Sequence, residues 1–192
     1  MRLEAIETEE YRHHTIEIHI DDTPESPREW TTFGSMTAFH SRYKLGDEHE
    51  FTPDELLDWI QRSDVVALPL YLYDHSGLWM STTREYPFNC PWDSSHIGYI
   101  WVTKQKIREE YGVKRITRNT MKKALAVMRG EVDIYSKYIS GQVYGYCTMD
   151  AAGECVDSCW GFYDIDYMIK EAKLWIDHET REQEGLIYGS SN

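Results

Sequence analysis

The sequence predicts an α+β fold: a single domain with a largely antiparallel sheet and three to four helices. Three observations predict it. Residues 13–20, "HHTIEIHI", put Ile16, Ile18 and Ile20 on one face and Thr15, Glu17 and His19 on the other, as a half-buried strand does. At "FTPDELLDWIQRSD", Thr52 stands as N-cap, Pro53 at the first helical position and Glu55 three after the cap, a capping box ahead of Leu56, Leu57 and Ile60. From Thr117 onward, Met121, Leu125, Met128, Val132, Tyr135 and Ile139 recur at the three- and four-residue steps of an amphipathic helix. Strands that mostly follow one another, with helices inserted singly or in a pair, favour antiparallel pairing.

The remaining elements follow in order. "DDTPESPREW" holds two prolines and five charges and reads as a loop, and "GSMTAFH" (34–40) as a second strand followed by the polar connection "SRYKLGDEHEF". "VVALPLYLY" (65–73) is a continuous apolar and aromatic run, hence a buried strand, with Pro69 marking a bulge or the place where pairing stops. "DHSG" (74–77) supplies the Asp, Ser and Gly of a turn, with Gly77 able to take positive φ. "HIGYIWVT" (96–103) is a further strand, after which Thr103 caps "KQKIREEYG" and Gly112 ends it. Thr117 caps the long helix, where Gly130 is a point of weakness. "QVYGYCTMDAAGECVDSCWGFY" reads as a hairpin turning at "DAAG". Ile165, Met168, Ile169, Ala172, Leu174 and Ile176 line a last helix, and residues 1–12 and 186–192 are expected to be mobile ends.

The chain has 192 residues, 41% hydrophobic and 14% aromatic, which suits a globular core with aromatic groups to spare for contacts. No run approaches the ~20 apolar residues of a membrane helix, and "MRLEAIETEEYRHH" lacks the apolar centre of a secretory signal, so a cytoplasmic protein is expected. Cys90, Cys147, Cys155 and Cys159 do not form a disulfide scaffold for a chain of this size, and free thiols are expected. The net charge is −13, but residues 101–123 carry eight basic and two acidic groups. Such acidity repels nucleic-acid phosphates at long range and attracts a basic protein groove; equally, it serves solubility.

Asp74, His75 and Ser76 are the residue types of a charge-relay site, but three consecutive side chains diverge where a triad must converge, so the turn reading takes precedence. Cys90 and His96 could form a nucleophile and base, yet no Lys or Arg lies between Arg84 and Lys104 to lower a thiol pKa. A zinc site from Cys90, His96, Cys155 and Cys159 would need ligands four apart on a flat strand to close on one ion; no metal site and no cofactor are expected. Neither Gly-rich phosphate motif occurs. Trp92 and Trp160, each beside an Asp and a Ser, read either as core anchors or as stacking groups for a ligand or partner. No catalytic residues are assigned, and a non-enzyme is expected.

The blocks "KLGDEHEF", "LPLYLYDHSG", "CPWDSSHIGYIWVT", "REEYGVKRIT", "GEVDIYSKYISGQVYGY" and "DSCWGFYD" resemble a family of small acidic proteins carried by phages and other mobile elements, over roughly residues 30–165. Some members are associated with anti-CRISPR activity, and the family supplies no catalytic residues. The resemblance implies a counter-defence protein that binds a host defence protein or nuclease complex, in a bacterial cytoplasm. Its partner-binding candidates are Asp47, Glu48, Glu50, Asp74, His75, Trp92, Asp93, Asp157 and Trp160. The competing readings are a sponge or enzyme for a nucleotide signal, and a nucleic-acid-binding accessory protein. Both would use phosphate-binding candidates Lys104, Arg108, Lys114, Arg115, Arg118, Lys122 and Lys123. That basic island could instead pair with the protein's own carboxylates or with a second copy of the chain in a homodimer.

Overall fold

Strands with one apolar face need an apolar partner surface, and here they find two. The structure, a computed structural model, describes residues 4–189 and the side chains of residues 4–181. Its eight strands form two four-stranded antiparallel sheets, joined by four helices, within two compact units. The terminal unit comprises residues 1–25 and 141–192; the central unit comprises residues 26–140. The α+β class, antiparallel pairing and helix count agree with the sequence reading, whereas the strands divide between two sheets.

In the terminal unit the strands are β1 (Glu7–Tyr11), β2 (His14–Ile20), β7 (Tyr144–Met149) and β8 (Cys155–Phe162), in the order β1-β2-β7-β8. Helix α4 (Ile165–Gly189) lays Met168, Ala172 and Ile176 against Ile16, Ile18 and Tyr146, all buried. Leu174, expected among these, is 53% exposed, because it lies off the stripe and Trp175 packs on the core in its place. Glu7–Tyr11, within the end expected to be mobile, is a strand. It lacks an apolar run and is held by pairing with β2 through the two-residue turn Arg12-His13, both at positive φ (50° and 76°). At the other end, residues 186–189 belong to α4, and 190–192 lie outside the described residues. The β7–β8 hairpin turns at Asp150–Glu154, where the Asp150 carboxylate accepts from the amides of Ala152 and Glu154.

In the central unit β3 (Ser35–Ala38), β4 (Val65–Asp74), β5 (Leu78–Ser81) and β6 (Ser94–Thr103) run in the order β3-β6-β4-β5. Alternation sends Leu70, Leu72, Ile100 and Val102 to the face covered by α3 (Arg118–Ile139), which contributes Ala124, Met128, Val132 and Tyr135. On the other face Trp101 packs edge-on against Trp59 of α1 (Pro53–Ile60) and against Phe51, with ring centres 5.3 and 6.1 Å away. Pro69 itself pairs in register with Tyr99; the irregularity comes just after it, where the β4–β6 register shifts between Leu70 and Tyr71 and pairing with β5 begins, over Tyr71–Asp74.

The helix signals hold in detail. Thr52 and Glu55 form the capping box of α1, Thr103 caps α2 (Lys104–Glu110) and Thr117 caps α3. Gly112 follows the end of α2 at φ 60°, the left-handed conformation that a side chain would oppose. Helix α3 runs unbroken through Gly130.

Candidate functional site

The β4–β5 turn and the loop from β5 to β6 place Asp74, His75, Trp92 and Asp93 at one end of the central sheet. Residues 75–77 form the turn, and Ser76, not Gly77, takes the positive φ, at 58°. Asp74 and Leu78 pair across the turn, so the left-handed residue falls at its centre instead of at its last position. The Asp74 amide donates to the Asp93 carbonyl at 2.8 Å, tying the turn to the loop. Its carboxylate pairs with Arg42, whose guanidinium also lies 5.4 Å over the Tyr43 ring. His75 Nδ1 stands 3.5 Å from Asp93 Oδ1, and the Cys90 thiol donates to Asp93 Oδ2 at 3.4 Å.

This geometry separates the would-be catalytic groups. Asp74 faces Arg42 while His75 faces Asp93, so the adjacent trio does not converge. The Asp93 carboxylate lies between Cys90 and His75, accepting from the thiol through Oδ2 while its Oδ1 faces the imidazole. His96 is turned elsewhere, with its ring 4.8 Å from Tyr99 and 5.5 Å from Tyr71; desolvation there lowers its pKa below the usual value, against a smaller raising effect from a backbone hydrogen bond at Gly98. Among the described residues no group of three His, Cys, Asp or Glu side chains could hold a metal ion.

What the loop does present is aromatic surface. Trp92 is 90% exposed and Tyr86 84%. Tyr86 joins Tyr73, Trp79, Pro87 and Phe88 around a concavity of about 330 Å³. The Tyr73 phenol is held above its usual pKa by desolvation, with Asp93 adding to it. Tyr86 and Phe88 carried no sequence signal beyond being aromatic in a loop.

The acidic candidates separate into three situations. Asp47 is internal to the central unit: it accepts from Arg28 Nε at 2.6 Å, from Arg28 Nη2 at 2.8 Å and from the Met36 amide at 2.8 Å. Arg28, with its side chain 5% exposed, also reaches Glu131 at 3.4 Å, and Glu131 accepts from the Phe33 and Gly34 amides at 2.5 and 3.0 Å. Burial opposes the charge on Arg28, but bonding to Asp47 and the fields of both carboxylates outweigh it, and its pKa is raised. Glu48 and Glu50 are exposed and line a concavity of about 780 Å³ with Phe51, Glu55, Asp58 and Trp59. Over it, the Arg62 guanidinium sits 4.3 Å from the Trp59 ring and pairs with Asp64.

Asp157 and Trp160 belong to β8 of the terminal unit. Asp157 accepts from the Tyr146 hydroxyl at 2.8 Å, and desolvation together with this carboxylate raises the Tyr146 pKa far above the ordinary range. Trp160 lies across Gly145, where an added Cβ would fall 2.2 Å from the ring, and its centre is 6.0 Å from that of buried His19. Both are therefore bound into the sheet, although Trp160 keeps 39% of its surface exposed.

The basic candidates divide by position. Lys104, Arg108, Lys114, Arg115 and Arg118 line one concavity of about 470 Å³, framed by α2, the connection to α3 and the first turn of α3. Lys122 and Lys123 lie further along α3 and do not line it.

One property of the sites belongs to the units as wholes. The terminal unit carries 18 acidic and five basic side chains, the whole net −13, while the central unit carries 15 of each. The sequence reading placed most acidic candidates in the central unit, because the carboxylates of the two chain ends meet only once the N-terminal strands pair with β7. Among the described residues, no helix is long and apolar enough to cross a membrane. Comparison with protein-family models, with curated proteins and with solved structures returns no match.

Proposed function

We propose that this chain is a counter-defence protein of a phage or mobile element, which inhibits a host nuclease complex by binding it. The observation that carries the reading is the concentration of the entire net charge of −13 in the terminal unit. A dense carboxylate surface competes for a basic nucleic-acid groove by presenting negative charge where phosphates would lie. Exposed Trp92 and Tyr86 supply the large aromatic groups that anchor interfaces. The family resemblance of the sequence points the same way. Anti-CRISPR and anti-restriction activity are the two forms of this function.

The experiment is co-elution of the purified full chain with purified CRISPR and restriction nucleases on size exclusion. Neutralising exposed, unpaired carboxylates of the terminal unit (Glu7→Gln, Glu154→Gln, Asp166→Asn) should weaken a complex, and Trp92→Ala should weaken it separately. A complex indifferent to both sets, or no complex with any such nuclease, would overturn the proposal.

A further inference from the structure

We infer that the concavity between α2 and the start of α3 is a binding site for the phosphate backbone of a nucleic acid. Arg108, Lys114, Arg115 and Arg118 line it as exposed cations, and part-buried Lys104 completes the set. Among the described residues none of the four exposed cations has an ion-pair partner. The acidic groups of the same segment do not neutralise them: Glu109 accepts from Gln105 Nε2 at 2.9 Å, and Glu110 is exposed without a pair. Lys104 alone is engaged, donating to the Ser63 carbonyl at 2.6 Å. Pairing with the protein's own carboxylates, raised by the sequence, is thus not what these four exposed side chains do.

The chemistry of the lining selects the ligand. Three of the five cations are arginines, whose planar fork matches phosphate oxygens two at a time. Helix α3 begins at Arg118, so its first-turn amides add positive potential at the same place. The apolar lining is Ile116 and Met121, with no aromatic ring on which a base could stack. The site therefore recognises a run of phosphates and not a nucleotide's base, which favours a nucleic-acid chain read without sequence preference. The protein's acidity does not forbid this. The central unit is neutral in net charge, and at physiological ionic strength charges beyond about 8 Å are largely screened. The site goes beyond the counter-defence reading and does not rest on it.

The test is fluorescence anisotropy of labelled 20-nucleotide single- and double-stranded DNA and of RNA with the full chain, with tripolyphosphate as competitor. Binding is expected at low salt, with log K falling against log salt at a slope of about −3.6 to −4.5 for duplex if four to five phosphates are engaged. Arg115→Glu with Arg118→Glu should weaken binding at least about tenfold, while Lys122→Glu with Lys123→Glu, outside the concavity, should change it less than about threefold. Arg115→Gln carries the same test should the double reversal fail to fold, as judged by circular dichroism. No binding at low salt, equal losses from the two pairs, or tripolyphosphate binding as tightly as the oligonucleotides would each overturn the assignment.

Discussion

The terminal and central units solve the charge problem in opposite ways. The terminal unit, with 18 acidic and five basic groups, has too few cations to pair its carboxylates: Glu9 pairs with Lys173 and Asp177 with Arg12, while Asp157 accepts from Tyr146, Glu10 from Thr15 and Asp150 from the amides of its own turn. The central unit is neutral in sum but sorted in place, with Arg28, Asp47 and Glu131 in a buried knot and unpaired cations gathered around one concavity. Net charge alone would describe the protein as uniformly acidic. The difference teaches that the −13 is a property of one unit, whereas the basic island stays unneutralised: Ile116 and Met121 are apolar, Glu109 is bonded to Gln105, and Glu110 is exposed without pairing to it.

The comparison breaks most severely at the knot. Asp47→Ala leaves the Arg28 guanidinium buried without its main partner and should cost about 3–5 kcal/mol in urea unfolding. A loss under about 1 kcal/mol would mean that the knot is hydrated and not a structural centre. In the terminal unit buried His19 stands 3.5 Å from Glu17 without a guanidinium knot among the described residues, and the weak point is the small apolar core. Ile18→Ala, fully buried against α4, should cost about 2–4 kcal/mol by cavity formation, read in the same unfolding assay. A neutral effect there would deny that α4 and the sheet form one core.

Smaller effects sharpen the picture. Thr52→Ala removes the α1 cap and should cost about 1 kcal/mol. Hydrogen bonds from the Thr52 amide and hydroxyl hold the Glu55 carboxyl below its usual value of 4.5. Since the folded pKa is the depressed one, this stabilisation is present above about pH 4.5 and is lost as pH falls through the folded value. Glu55→Gln should therefore flatten the acid side of the stability profile; an unchanged profile would contradict the capping box. Least of all, Asp74→Ala and His75→Ala should each change stability by under about 1 kcal/mol, because their ion pairs lie at a solvated turn. Their use is to test partner contact without disturbing the fold.

Local chemistry was legible and long-range pairing was not. Thr52, Thr103, Thr117 and Gly112 announced the helix ends because caps depend on neighbours within four residues. Pro69 pointed only to the neighbourhood of the register shift, which falls between Leu70 and Tyr71. By contrast, β1 is polar and turns at Arg12-His13, a pair with none of the Asn or Gly that usually mark such a turn, so nothing local distinguishes it from a loose end. Asp47 read as a surface acid because its partners, Arg28 and the Met36 amide, lie elsewhere in the chain. Likewise the gathering of five cations was visible as composition, but their shared concavity depended on how α2 meets α3.

The most direct measurement is a titration of the purified chain into guide-loaded CRISPR nucleases and restriction enzymes cleaving target DNA. The account predicts inhibition of at least one such enzyme that saturates at stoichiometric protein, does not deepen with preincubation and weakens as salt rises. Unchanged cleavage throughout at excess protein, or inhibition by catalytic traces that grows with time, would contradict it.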